Sequence, residues 1–348
     1  MRARSWVLIP AFLAATIGSL LVRSENQLGR ADPAPSPAVL ISGGEDNSGN
    51  ILDSAELYSP ASQTFASAAG TIPTIIEQQT ATLLNDGTVL LAGGAIDHIP
   101  TATASIYDPT TQGFTAVGPM TDPRFGHTAT LLPDGTVLIA GGHVSGSGGL
   151  MSAEIYSPMT KSFTCVGGVN LNGIIRNCND TMVEMREFGA AAPLSDGTAL
   201  ITGGFDPSVG ISNSAEIYDP ATASFTQTTG SMTDSREDQT ATLLADGNGD
   251  VLIAGGQDQS GAELDTAELY NPATKSFGAT AGVMHTSHGF HTATLLTDGS
   301  VLIAGGTGIF LDGVFEAFIA EADVYVPATG TFTETSNMLA CTPKTPPK

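Results

Sequence analysis

Short apolar runs divided by glycine-rich turns organise most of this chain. The segment TVLIA, ending at Ala140, is almost continuously apolar and stops on Gly141-Gly142. Such a run fits a strand covered on both faces. Before it, HTATLL from His127 to Leu132 leads into Asp134-Gly135, a pair suited to a two-residue hairpin turn. After it, SAEIYSP runs to Pro158, which stops a strand, and a short turn leads to SFTCV. Four antiparallel strands in this order predict one blade of a β-propeller.

The pattern recurs. Gly-Gly pairs close apolar runs at Gly43-Gly44, Gly93-Gly94, Gly141-Gly142, Gly203-Gly204, Gly255-Gly256 and Gly305-Gly306. Successive spacings of 50, 48, 62, 52 and 50 residues define a repeat. Each pair is followed by a tyrosine (Tyr58, Tyr107, Tyr156, Tyr218, Tyr270, Tyr325), and these are all 6 tyrosines of the chain. A phenylalanine always stands seven residues further on: Phe65, Phe114, Phe163, Phe225, Phe277 and Phe332.

With its Gly-Gly pair, Tyr and spaced aromatic, the chain resembles the kelch-repeat propellers of the galactose oxidase central-domain superfamily, in a bacterial-type exported form. The likeness covers about 38–338. Kelch repeats usually carry Trp at the last position, and here Phe replaces it each time; the single Trp, Trp6, precedes the repeats. The resemblance implies an all-β, six-bladed kelch-type propeller of four-stranded antiparallel blades. The first repeat starts at its second strand, AVLISGG, and the proline-rich LACTPKTPPK after Met338 is a poor donor for the missing one. The first blade is therefore expected to be incomplete, with a truncated seven-bladed ancestor as the alternative.

Composition extends this reading to the termini. Arg2 and Arg4 precede an uncharged apolar run from Trp6 to Val22. A basic start before such a run fits an export signal, and its length also suits an uncleaved anchor. The expected organisation is a signal peptide or anchor over 1–23, a Pro-rich linker over 24–37, the propeller over 38–338 and a tail over 339–348. The implied location is secreted, periplasmic or cell-surface. A net charge of −23 argues against nucleic acid and anionic membranes as partners. Membrane contact is expected only through the N-terminal segment, and the protein is expected to be a monomer. Cys165 and Cys178 are plausible disulfide partners in an exported chain, unpaired thiols being the alternative; Cys341 is left over in the tail.

In this topology the loops after the Gly-Gly pairs and the loops leading into each first strand share one face. All 6 histidines fall there: His98 and His143 after Gly-Gly pairs, and His127, His285, His288 and His291 in lead-in loops. Arg124, Arg186 and Arg236 occupy equivalent lead-in positions, and Arg176 lies in the long loop from Thr164 to Glu187. Arg offers a planar fork to carboxylates, and His donates or accepts near neutral pH. The expected ligand-binding residues are Arg124, His127, Arg186, Arg236, His288, His291, His143 and His98. The competing structural reading bonds them to neighbouring strands, with Glu154, Glu216 and Glu268 as available partners.

Three sharper motifs point elsewhere. His285, His288 and His291 stand three residues apart, a spacing that alternates sides along a strand, so no metal site is expected. DGNGD, from Asp246 to Asp250, resembles the start of a calcium loop but has Gln257 where the bidentate Glu belongs, and it reads as a lengthened hairpin. The copper radical oxidases of the kelch superfamily need a Tyr crosslinked to Cys, a second Tyr and two His; here every Tyr is at the repeat position. No cofactor and no catalytic residue are expected. The leading function is a carbohydrate- or protein-binding module. A sugar-modifying enzyme like the family's sialic-acid mutarotase and a structural cell-surface propeller are the alternatives. The phenylalanines of Thr307–Ala320 offer a further contact surface.

Overall fold

The computed structural model describes residues 20–22, 38–42, 54–59, 64–68, 70, 72, 78–96, 98–145, 148–167, 178, 181–309, 316–319 and 321–335. Residues 1–19, the whole linker, Arg176, the first Gly-Gly pair, Phe310 and the tail with Cys341 lie outside them. The described residues contain no helix, and so none long and apolar enough to cross a membrane.

Six four-stranded antiparallel sheets form the blades of a ring. In the third blade the strands are Thr128–Leu131, Val137–Ala140, Ala153–Ser157 and Ser162–Cys165, paired in that order. First strands of successive blades touch one another, so they wall the central axis.

The first blade corrects the expectation of an incomplete sheet. It has four strands, and the first is Leu20–Val22, antiparallel to Ala38–Leu40. The donor is neither the proline-rich tail nor an absent repeat but the apolar stretch assigned above to the leader. Its backbone satisfies the edge that strand Ala38–Ser42 would otherwise leave open.

The continuous apolar runs are buried on both faces, as their pattern implies. Val137 and Ile139 pack toward the second blade with Leu90, Ala92 and Met120, while Leu138 and Ala140 pack toward the fourth with Ile201 and Tyr218. Repeated along the series, such splits give five interblade cores. The constant Tyr-to-Phe offset also has a geometric cause. Each pair lies directly opposite across the third and fourth strands, as in Tyr156↔Phe163 and Tyr325↔Phe332. The six pairs of rings stand 4.9–5.1 Å apart, within the range of favourable tilted contacts.

The Gly-Gly pairs are needed where blades meet. Gly141 and Gly142 have φ of 68° and 95°, and a Cβ on Gly141 would collide with the Arg186 carbonyl of the next blade. Beyond such pairs the chain rises as two-stranded ribbons: Ala95–Ile96 with Ile99–Pro100, His143–Val144 with Gly148–Gly149, Phe205–Asp206 with Gly210–Ile211, and Thr307–Ile309 with Glu316–Phe318. They form a collar on the face that the histidines were assigned to. Cys165 and Cys178 are joined by a disulfide at the base of the long loop, with Cα atoms 5.0 Å apart.

Candidate functional site

The three lead-in arginines are blade fasteners. Arg124 is fully buried; its Nη1 donates to the carbonyls of Gly141 and Ser152, and its Nη2 to Ser152 Oγ and Glu154 Oε1. Arg186 donates to the carbonyls of Gly203 and Ser214 and to Glu216, and Arg236 to those of Gly255 and Thr266 and to Glu268. Each acceptor carboxylate also takes backbone N–H groups from the same lead-in loop, such as Thr121 and Asp122 on Glu154. Meanwhile the Arg186 carbonyl accepts from Gly142 of the preceding blade. Side chain and backbone thus tie neighbouring blades together, which leaves none of these three forks facing solvent. Arg124, Arg186 and Arg236, expected above to meet a ligand, are turned to structural partners in the interior, and a charge this deep is stable only with such partners.

Three of the histidines, His127, His288 and His291, are buried likewise. His288 stands at the arginine position of the sixth blade, fully buried, with Nδ1 on the Gly305 carbonyl and Nε2 3.5 Å from Asp323. His285 bonds Asp323 through Nδ1 at 2.6 Å. His127 and His291 are buried with Nε2 2.9 Å from Thr80 and Thr240 of the preceding blades. Burial above all lowers both to about 3, so both are neutral imidazoles. His285 and His288 thus meet on the Asp323 carboxylate, while His291 turns to Thr240. His98 lies in the turn of the first ribbon.

His143 is partly exposed at the rim and has a defined polar partner: its Nδ1 is 3.0 Å from Glu187 Oε1, and its ring packs 5.0 Å from Phe125. These residues lead to a site that the sequence did not disclose. Two positions after each of these arginines, and at the matching register of the second and sixth blades, the backbone takes the left-handed conformation: Gln78, Gly126, Phe188, Asp238 and Phe290 have φ of 54–60°. Successive members are joined, Phe188 N donating to Gly126 O and Asp238 N to Phe188 O. Each immediately precedes a first strand, so this chain of residues rims the mouth of the axis.

The rim combines rings with acids. Phe188 lies 6.0 Å from Phe125, and Phe290 is exposed. Glu187 adjoins Phe188 in the chain, and Glu237 and Asp238 come from the next blade, where Asp238 N donates to Phe188 O. Burial pushes Glu237 up to about 7, helped by the charge of Glu187. Burial and then Glu237 hold Asp238 well above the ordinary carboxylate range, and burial raises Glu187 despite His143. The carboxyl groups of Glu237 and Asp238 have no ion-pair or hydrogen-bond partner among the described residues. Such groups can accept from, or when protonated donate to, a hydroxyl-bearing ligand. The only signal for this rim in the sequence was its register, two residues beyond each lead-in Arg.

Among the described residues one cluster of potential metal ligands comes together, Glu154 with Cys165 and Cys178, and the disulfide occupies both sulfurs.

No family model and no curated protein matches the sequence. Among solved structures, the chain is similar to a fungal alcohol oxidase of the AA5 family with catalytic diversity, determined in complex with copper. The TM-score is 0.64 at 18% identity, covering 88% of this chain and 64% of the oxidase. The chain thus spans under two thirds of that enzyme, and the likeness is one of fold.

Proposed function

We propose that this chain is an exported kelch-type propeller that binds carbohydrate at the axial mouth. The observation that carries this reading is the rim itself: Glu237 and Asp238, unpaired among the described residues, on the same run of lead-in loops as Phe125, Phe188 and Phe290. Phenyl faces stack on the C–H faces of a pyranose, while carboxyl groups bond its hydroxyls. A few convergent polar groups among aromatic side chains are the usual make-up of a small-molecule site. With the arginines buried and carboxyl groups outermost, the favoured ligand is a neutral sugar rather than an acidic one. This also removes the support that an arginine-lined pocket lent to a mutarotase-like enzyme.

The copper chemistry of the structural neighbour does not suit these residues. Five of the six tyrosines are buried beside their phenylalanine partners, and Cys165 and Cys178 are already bonded to each other. The kelch assignment rests on the six-fold Gly-Gly, Tyr and Phe register. Export is supported by Arg2, Arg4 and the apolar run after them, and by the disulfide, a bond of oxidising compartments. Because Leu20–Val22 belongs to a blade, the leader would end ahead of Leu20.

The test is a glycan screen with the full chain, followed by calorimetric titration of the strongest neutral hit. Glu237→Gln and Phe290→Ala should each weaken that hit about tenfold or more, as expected for losing one strong polar or one aromatic contact. Equal affinity in both variants, or binding only of cationic peptides, would overturn the sugar reading.

A further inference from the structure

Five seams between blades have an apolar core; the seam between the sixth blade and the first has none among the described residues. Its two walls are nonetheless built for one. On the sixth blade Leu302 is only partly buried, while its counterparts Leu90, Leu138, Leu200 and Leu252 are fully buried. On the first blade Phe65 is 59% exposed, while its counterparts Phe225 and Phe332 lie in cores. Glu56 is exposed as well, although the same third-strand position is buried as Glu154, Glu216, Glu268 and Asp323.

In the other seams the loop leading into the next blade makes the closing contacts. Each such loop brings one large apolar side chain, Ile72, Met120, Met182, Met232 or Met284, and all five are buried. The next two N–H groups donate to the third-strand carboxylate, as Val183 and Glu184 do to Glu216, and Thr233 and Asp234 to Glu268. Four positions after the apolar residue, a carbonyl accepts from the second glycine of the preceding blade: Arg124 from Gly94, Arg186 from Gly142, Arg236 from Gly204 and His288 from Gly256. Gly306 is the next glycine of that series, and its N–H has no such acceptor among the described residues.

The sequence carries one more such loop. Met338 stands six residues after Phe332, as Met120 stands six after Phe114, while Met232 and Met284 stand seven after Phe225 and Phe277. The prolines that bar the tail from a strand suit a lead-in loop, where Pro123 already lies. Residues 336–348 hold two lysines and no acid, in a chain of net charge −23, so the acidic body attracts them. We propose that residues 338–345 dock in the open seam as its lead-in loop. Met338 fills the slot between Leu302 and Tyr58, the Leu339 and Ala340 N–H groups donate to Glu56, and the Gly306 N–H donates to the Thr342 carbonyl. The tail thus supplies the loop of the first blade, and Leu20–Val22 its first strand. The same register makes Lys344 the first blade's member of the rim, next to Phe290. There, on the sugar reading, it donates to a ligand hydroxyl.

The experiment is hydrogen–deuterium exchange of the full chain without ligand, read by mass spectrometry on C-terminal fragments. The Leu339 and Ala340 amides should exchange at least about tenfold more slowly than in the isolated 336–348 peptide, and equally so after about tenfold dilution. Glu56→Ala, at an exposed position, should fold and return both amides to the free rate. Glu334→Ala, an exposed acid on the neighbouring fourth strand, should not. Met338→Ala should lower Tm by about 2 °C or more. Free-rate exchange in the parent, full protection in Glu56→Ala, equal loss in Glu334→Ala, or an unchanged Tm in Met338→Ala would overturn the proposal. Protection lost on dilution would overturn it in favour of a second copy in the seam. Lys344→Gln should weaken the neutral glycan hit about tenfold, and equal affinity would remove Lys344 from the rim. The exchange test uses no sugar, so its failure and the failure of the sugar reading are separate results.

Discussion

Replacing Glu237 by Gln isolates the electrostatic character of the axial mouth. Its carboxyl is raised from 4.5 to about 7, mainly by burial and then by Glu187. With the folded value above the unfolded one, the neutral acid costs the fold nothing below 4.5, and stability is lost as pH rises through about 7. At about pH 8.5 the rise from 4.5 to about 7 would correspond to roughly 3 kcal/mol. Glu237 is only half-buried, and solvent screening reduces this to about 1–2 kcal/mol. Gln keeps the shape and carries no charge, so Glu237→Gln should match the parent near pH 5 and exceed it near pH 8.5 by about 2–4 °C in Tm. Differential scanning calorimetry at the two pH values measures this directly. Equal Tm values at both, or a variant weaker at the higher pH, would refute the placement of an unneutralised acid at the rim.

Two further outcomes follow from the interblade contacts. His127 and His291 are lowered from 6.5 to about 3, so they withhold stability as pH falls from 6.5 toward 3, where the unfolded chain takes up protons that the fold does not. His127→Gln with His291→Gln, which copies Gln239 at the same register bonding Thr202 O, should flatten the acid limb of Tm against pH in that window. Arg186→Ala leaves Glu216 buried without its cation and should cost about 3–5 kcal/mol in urea unfolding, while Arg186→His, the residue that the sixth blade uses at His288, should recover part of it.

The blades were legible because their signals are local. A seven-residue offset between Tyr and Phe has one simple solution, two facing residues of a hairpin, and a run such as Val137–Ala140 has alternate side chains to bury on each side. The Cys165–Cys178 pair was legible for the same reason, through its short loop. The first blade was not. Its donor strand, Leu20–Val22, lacks the repeat motif and sits in a run whose hydrophobicity equally fits a leader. The site was legible only to its face. Arg124, Arg186 and Arg236 were rightly grouped by register, but residue type does not reveal which way a guanidinium turns. Each turns inward because a carboxylate on the third strand of its own blade, such as Glu154 or Glu216, waits there in the interior. No single residue type runs through the rim. Gln78, Gly126, Phe188, Asp238 and Phe290 are alike only in backbone conformation, which the sequence does not display.

The most direct test of the binding reading is a crystal structure of the full chain with its best neutral glycan. A sugar ring should lie at the axial mouth, stacked on Phe125, Phe188 or Phe290, with a hydroxyl bonded to Glu237 or Asp238. A glycan seated on the hairpin face, on the outer edges of the blades, or against buried Arg124 would contradict it, as would the failure of every neutral glycan to bind.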